Sequence, residues 1–190
     1  MNMTQDTPNS SSSLRLRRIR RLAWWVRLLC LCAAAGLLIG TTLFWSQPDW
    51  LRSVAQDRWG MSEATLNLDP HSRLLGWSLS WLPNLVVLFA LWQIWALFGY
   101  YRRSEFFASG PALHLRRLGG ALMAYTLAQP LGVTLSVLAL TLANPAGQRR
   151  LYIGLGTDQF PSLFFGLAIL VIGIVMEEAS RMAQENAEFI

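Results

Sequence analysis

Lysine is absent from this chain of 190 residues, and all sixteen of its basic side chains are arginine. Charge of either sign is scarce, at 14% of residues, and its spacing matters more than its amount. Four stretches, 28–48, 74–101, 118–148 and 159–176, contain no Asp, Glu, Lys or Arg. Each reaches or exceeds the ~18 residues that mark a candidate membrane span. A soluble domain has room to bury one such helix, but four would leave almost no polar surface for water. The pattern therefore excludes an ordinary soluble domain.

Cysteine and histidine are nearly as scarce, with two of each. Cys30 and Cys32 both lie in the first apolar run, and their i, i+2 spacing points them to different faces of a helix. They read as small buried hydrophobes, not as a disulfide framework. His71 and His114 fall in loops on opposite sides of the membrane, so they cannot share a metal. With neither a CxxC nor an HExxH pattern, no metal or cofactor is expected. The polar side chains at membrane depth are Asn84, Gln93, Tyr125, Gln129 and scattered Ser and Thr. They form no known catalytic set, and the chain is read as non-enzymatic. No Asp, Glu or Lys lies within a span and no inverted repeat is visible, which disfavours ion-coupled transport.

What remains is an all-α membrane architecture, a bundle of four transmembrane helices. Residues 1–13, with four consecutive serines, are too polar to fold and read as a disordered cytoplasmic tail. Residues 14–190 then form one membrane domain, with spans at about 22–45, 75–100, 118–142 and 160–176 and a cytoplasmic amphipathic helix over 177–190. Arg15 to Arg21 followed by an apolar run resembles a signal peptide, but the run continues to Trp45 and three more spans follow. Trp24 and Trp25 suit the headgroup level, and Arg27, one turn inside, is expected to snorkel back to the phosphates. Arginine asymmetry orders the topology. Eleven lie in segments assigned to the inside and five, Arg52, Arg58, Arg73, Arg149 and Arg150, in segments assigned to the outside. Every alternation then agrees with both termini in the cytoplasm of a multi-pass protein.

Helical periodicity sorts residues within the spans. Trp77, Trp81, Leu88, Trp92 and Trp95 fall near one face of span two, as a packing or lipid-facing stripe. In span three, Gly120, Ala124, Ala128, Gly132 and Ser136 recur at every fourth position, and span one offers Cys32, Gly36 and Gly40. Small residues so spaced let backbones approach closely in lipid, which predicts a tight seam between spans one and three. Gln129 precedes Pro130, whose missing N–H frees a carbonyl near mid-membrane that Gln129 or Thr126 is placed to satisfy. The strand-like alternations at 64–68 and 151–155 are expected to pair as a small two-stranded cap outside the membrane.

The cytoplasmic face carries the rest of the chemistry. The second loop, 102–117, has four arginines and one acid, whereas the tail, 177–190, has four glutamates and one arginine. Arg102, Arg103, Arg116 and Arg117 are candidate contacts for the tail, for lipid or for a partner, and Met182 and Phe189 for a groove on a cytosolic protein. The N-terminal arginines are what topology and anionic lipid already require, so no specific nucleic acid is expected. The expected partners are the bilayer, a cytosolic protein and further copies of the chain. The functional expectation is a non-enzymatic module engaging a cytosolic partner, such as a transcriptional regulator; the alternative is a small channel or transporter component centred on Gln129.

Three blocks carry a family likeness: Leu82-Pro83 through Leu91-Trp92-Gln93, then Tyr101-Arg102-Arg103-Ser104-Glu105-Phe106-Phe107, then Val175-Met176-Glu177-Glu178-Ala179 with the closing Gln184-Glu185-Asn186-Ala187-Glu188-Phe189-Ile190. Over 74–190 the chain resembles the small bacterial membrane proteins grouped as domain of unknown function 2975. Ser104 stands where that family has a small or Gly residue before its Glu. The resemblance implies a four-span protein of the bacterial cytoplasmic membrane and no particular reaction. It also implies, as partners, small helix-turn-helix regulators.

Overall fold

A computed structural model describes residues 9–62, 66, 68–103, 109–145, 149, 151–154, 156–157 and 159–188. These residues build five helices: α1 (Asn9–Ser46), α2 (Pro48–Asp57), α3 (Pro70–Arg102), α4 (Ser109–Thr141) and α5 (Gln159–Glu188). All except α2 are long and apolar enough to cross a membrane. At about 1.5 Å per residue, a helix of 33 residues such as α3 spans roughly 50 Å, against about 30 Å of hydrocarbon, so the long helices overshoot the core. The helix α1 begins at Asn9, inside the segment read above as an unfolded tail. An established helix extends at little cost per residue, so the polar turns ahead of the span join it.

The four long helices stand as a row in the order α1, α3, α4, α5, each packed on its neighbour in that order. The two inner helices, α3 and α4, have protein on two sides, and α4 is the more deeply packed, with one third of its apolar window buried against 11% for each of the others. Contact between α1 and α4 is marginal, and the predicted seam between spans one and three does not form. The reason is the helical period. Four residues advance 400°, so a stripe of every fourth residue turns about 40° per step and roughly 160° from Gly120 to Ser136. Its members therefore meet different surroundings. A side chain at Gly36 or Gly120 would touch nothing within 4 Å, whereas a Cβ at Gly132 would lie 2.7 Å from the Pro83 ring on α3.

Close backbone approach occurs between α4 and α5 instead. A Cβ at Gly119 would lie 2.5 Å from the Leu170 amide nitrogen, one at Gly166 would lie 3.0 Å from that of Met123, and one at Gly173 would lie 2.6 Å from that of Arg116. Between α1 and α3 the joint is polar and aromatic. Asn84 Nδ2 donates to Thr41 Oγ1 at 2.9 Å, and the guanidinium of Arg27 lies 3.8 Å from the centre of the Trp95 ring. Arg27 is therefore a cation stacked on the tryptophan stripe.

One end of the row carries a cap. The helix α2 starts with Pro48 in its first turn, where a missing N–H costs nothing, and turns Leu51 and Ala55 inward. Gly60 adopts φ +60°, a left-handed conformation that lets the chain reverse, and the Met61 amide donates to Ala55 O at 3.0 Å. Trp45, Leu51, Ala55, Met61, Val137 and Leu140 form one buried cluster there, built from the last turns of α1 and α4 and the face of α2.

Arg73, in the first turn of α3, closes the end of α1. Its Nε and Nη2 donate to Trp45 O at 2.9 and 2.6 Å, and Nη2 also donates to Ser46 O at 2.6 Å. The final carbonyls of a helix lack intrahelical donors and carry its negative dipole end, so a guanidinium satisfies both deficits.

The expected two-stranded cap is not present among the described residues; positions 64, 65, 67 and 155 lie outside them. The second alternation is nonetheless real, with Leu151 and Ile153 exposed and Tyr152 turned inward. Tyr152 O accepts from Thr134 Oγ1 at 2.7 Å, so the segment lies against α4 and finds its partners on a helix.

Two tests follow from this packing. Gly119→Leu should lower stability in detergent by about 1–3 kcal/mol, the usual cost of overpacking, while Gly36→Leu leaves the melting temperature unchanged. Equal melting shifts for the two would contradict the α4–α5 seam. Arg73→Met, which keeps the aliphatic stem and removes the charged donors, should cost roughly 1.5–3 kcal/mol in the same assay.

Candidate functional site

The candidate residues of the sequence gather at the two ends of the row. At the arginine-rich end, Arg20, Arg21, Trp24 and Arg102 line a cavity of about 480 Å³ between α1 and α3. Arg102 and Arg103 thus stand beside further arginines of α1. Arg116 alone of the four loop arginines meets α5 among the described residues: its Nη1 lies 2.9 Å from Glu177 Oε2. That pair is half-exposed on both sides and correspondingly weak. Glu177 therefore pairs across to α4, not along its own helix. Arg181 binds Glu178 at 2.6 Å, with Glu185 at 3.7 Å. Met182 is 55% exposed, and Phe189 lies outside the described residues.

Just inside this end, Gln93 of α3 is fully buried and its Oε1 lies 2.7 Å from His114 Nδ1 on α4. Gln93 Nε2 is also buried and has no hydrogen-bond partner among the described residues. The Tyr100 ring stacks near His114 at 5.6 Å between centroids. A polar pair between two helices in lipid fixes their register, because either group alone would be an unsatisfied dipole.

The cap end holds a different site, which sequence reading found only in part. A cavity of about 410 Å³ lies where α1 and α4 fail to close on each other, with α3 as its floor and the cap above it. Its aromatic walls are Phe44, Trp45, Trp50 and Trp59, and its polar lining is Thr41, Ser80, Asn84, Tyr125, Gln129 and Ser136. Three of the four polar span residues singled out by sequence, Asn84, Tyr125 and Gln129, meet here, and Gln93 does not. The tryptophans of α2 and its flanks were missed. The available signal was the helical period of 48–57, with Leu51 and Ala55 on one face between charged Asp49, Arg52 and Asp57.

Gln129 is held by its neighbours. Its Oε1 accepts from Gln159 Nε2 at 3.0 Å, and Gln159 also binds Gly154 O at 3.1 Å and the Gly156 amide at 2.7 Å. Gln159 opens α5, so Gln129 stands level with the cap-side end of that helix. It also does not turn back to the carbonyl that Pro130 frees, and the Thr126 hydroxyl bonds to Leu122 O at 3.2 Å. A side chain that bridges to the next helix gains a tertiary contact that back-bonding would forgo.

Residues 59–190 match the family described as Protein of unknown function (DUF2975). The match takes in α3, α4 and α5 and leaves α1 and α2 outside it. No curated protein and no solved structure matches the chain.

The α4–α5 ion pair is open to a double-mutant cycle. Arg116→Gln and Glu177→Gln should show a coupling of at most about 1 kcal/mol, as for other exposed pairs, and it should vanish in molar salt. A coupling that persists in high salt would mean that the pair is buried in the bilayer-embedded protein.

Proposed function

This chain belongs to the DUF2975 family, and from that premise we propose that it is a non-enzymatic membrane module that engages a cytosolic protein through its arginine-rich end. The observation that supports this is the helix α5, which runs unbroken from its apolar segment to Glu188 while residues 181–185 stay exposed. A free helix of about twelve residues is marginal in water. Here it is seeded by the span and braced by Arg181, leaving Met182 uncovered. A rigid helix with an apolar side chain, at the same end of the row as the arginines of α1, α3 and α4, has the form of a docking element for a grooved partner.

We assign the arginine-rich end to the cytoplasm of a bacterial inner membrane, on the positive-inside rule. A transcriptional regulator is the partner class that the family likeness suggests. The alternative, a small channel or transporter component, draws on the cap-end cavity around Gln129. It predicts solute flux in proteoliposomes that Gln129→Leu abolishes.

Deleting residues 183–190 and introducing Met182→Asp, each in the full membrane protein, test the docking role in an affinity capture quantified by mass spectrometry. Both variants should insert normally, and each should reduce a specific captured partner at least tenfold, as losing a central apolar anchor does. A partner list unchanged by both variants would sink the role of the tail.

A further inference from the structure

We propose that the cap-end cavity is a binding site for a neutral amphiphile, a molecule with an apolar body and an uncharged carbonyl or hydroxyl group. Size, charge, hydrogen bonding and access each narrow the class. A volume of about 410 Å³ lies in the range of small-molecule sites, which run from about 300 to 1,000 Å³. Among the described residues, no Asp, Glu, Arg or His lines it. An ion entering would exchange its hydration for amides, hydroxyls and aromatic rings, without a counter-charge.

The polar groups are pre-set to receive one neutral head. Asn84 gives one of its two amide N–H groups to Thr41, which leaves its carbonyl oxygen as an acceptor. Gln129 is the reverse case. Its carbonyl oxygen accepts from Gln159, which leaves its amide N–H groups as donors. A donor and an acceptor held by their own second partners fit a hydroxyl, which needs both, or a carbonyl, which needs the donor. The walls of Phe44, Trp45, Trp50 and Trp59 offer large apolar area for the rest of the molecule.

Access favours an amphiphile over a freely soluble compound. The cleft exists because α1 packs on α3 and barely touches α4, so its flank is the lipid-facing side of the row. A ligand dissolved in the bilayer reaches it sideways, and its head would then sit level with Gln129 and Gln159, near the end of α5.

The experiment uses the whole protein in liposomes and three probes of equal chain length carrying a diazirine and an alkyne: a long-chain alcohol, the matching carboxylate and the matching trimethylammonium. Photolabelled peptides are mapped by mass spectrometry, with and without an excess of unlabelled alcohol. The alcohol should label the segments around Thr41, Asn84 and Gln129 in a saturable way, with excess alcohol removing most of it, while labelling on the lipid-facing turns of α5 does not compete. Asn84→Leu and Gln129→Leu should each reduce cavity labelling at least fivefold.

Gly40→Phe separates occupancy from folding. Gly40 lines the cavity, and a Cβ there meets nothing within 4 Å, so the added ring fills the space without a backbone clash. It should abolish the saturable labelling while the melting temperature holds. Labelling of the cavity that does not saturate, that the charged probes match, or that survives Gly40→Phe would overturn the proposal.

Discussion

Inside a bilayer an apolar side chain gains nothing by leaving lipid for another apolar side chain, and the packing of this chain follows from that constraint. Dispersion between closely approaching backbones remains available, and α4 and α5 use it at Gly119, Gly166 and Gly173. Hydrogen bonds and cation–aromatic contacts also remain, and α1 joins α3 through Asn84 to Thr41 and Arg27 over Trp95. Area-driven burial returns only where water does. The largest cluster of buried hydrophobics accordingly lies in the cap, where α2 folds over the last turns of α1 and α4. One chain thus uses two packing regimes.

The four spans were legible because a run without charge is a one-dimensional signal that needs no knowledge of neighbours. Which helices touch was not, because small residues mark where approach is allowed and not where it happens. The stripe from Gly120 to Ser136 turns through almost half a circle, while Gly119, one position off it, sits against the α5 backbone, where an added Cβ would lie 2.5 Å from the Leu170 nitrogen. Gly166 and Gly173, seven residues apart, hold nearly one direction and face α4 throughout. A spacing of seven drifts about 20° from a common face where four drifts 40°, so heptad spacing was the better guide to a straight seam.

The charge-free run of the third span also covers residues in more than one kind of packing. Residues of α4 beyond Gln129 pass the start of α5 and enter the cap, where Val137 and Leu140 are buried against α2. They are apolar where they pack on other protein, and hydropathy does not distinguish that from lipid. The role of Arg73 was invisible for a related reason. A charge at the head of α3 reads as an outer-loop arginine in a topology count, and only the geometry shows that it closes the end of α1.

The two ends of the row pose opposite electrostatic problems. The arginine-rich end gathers Arg20, Arg21 and Arg102 around one space, a concentration of like charge that is tolerable where water and lipid phosphates screen it. The cap-end cavity sits beside apolar walls, and its polar groups are amides and hydroxyls that already hold one another in place. Such a lining can exchange hydrogen bonds with a neutral dipole at little cost, because neither side gives up a net charge. An ion would lose its water and find no opposite charge in return. The same residues that admit one class of ligand therefore disfavour the other, and Gln129 can favour a hydroxyl or carbonyl with no side chain charged at neutral pH among the described lining.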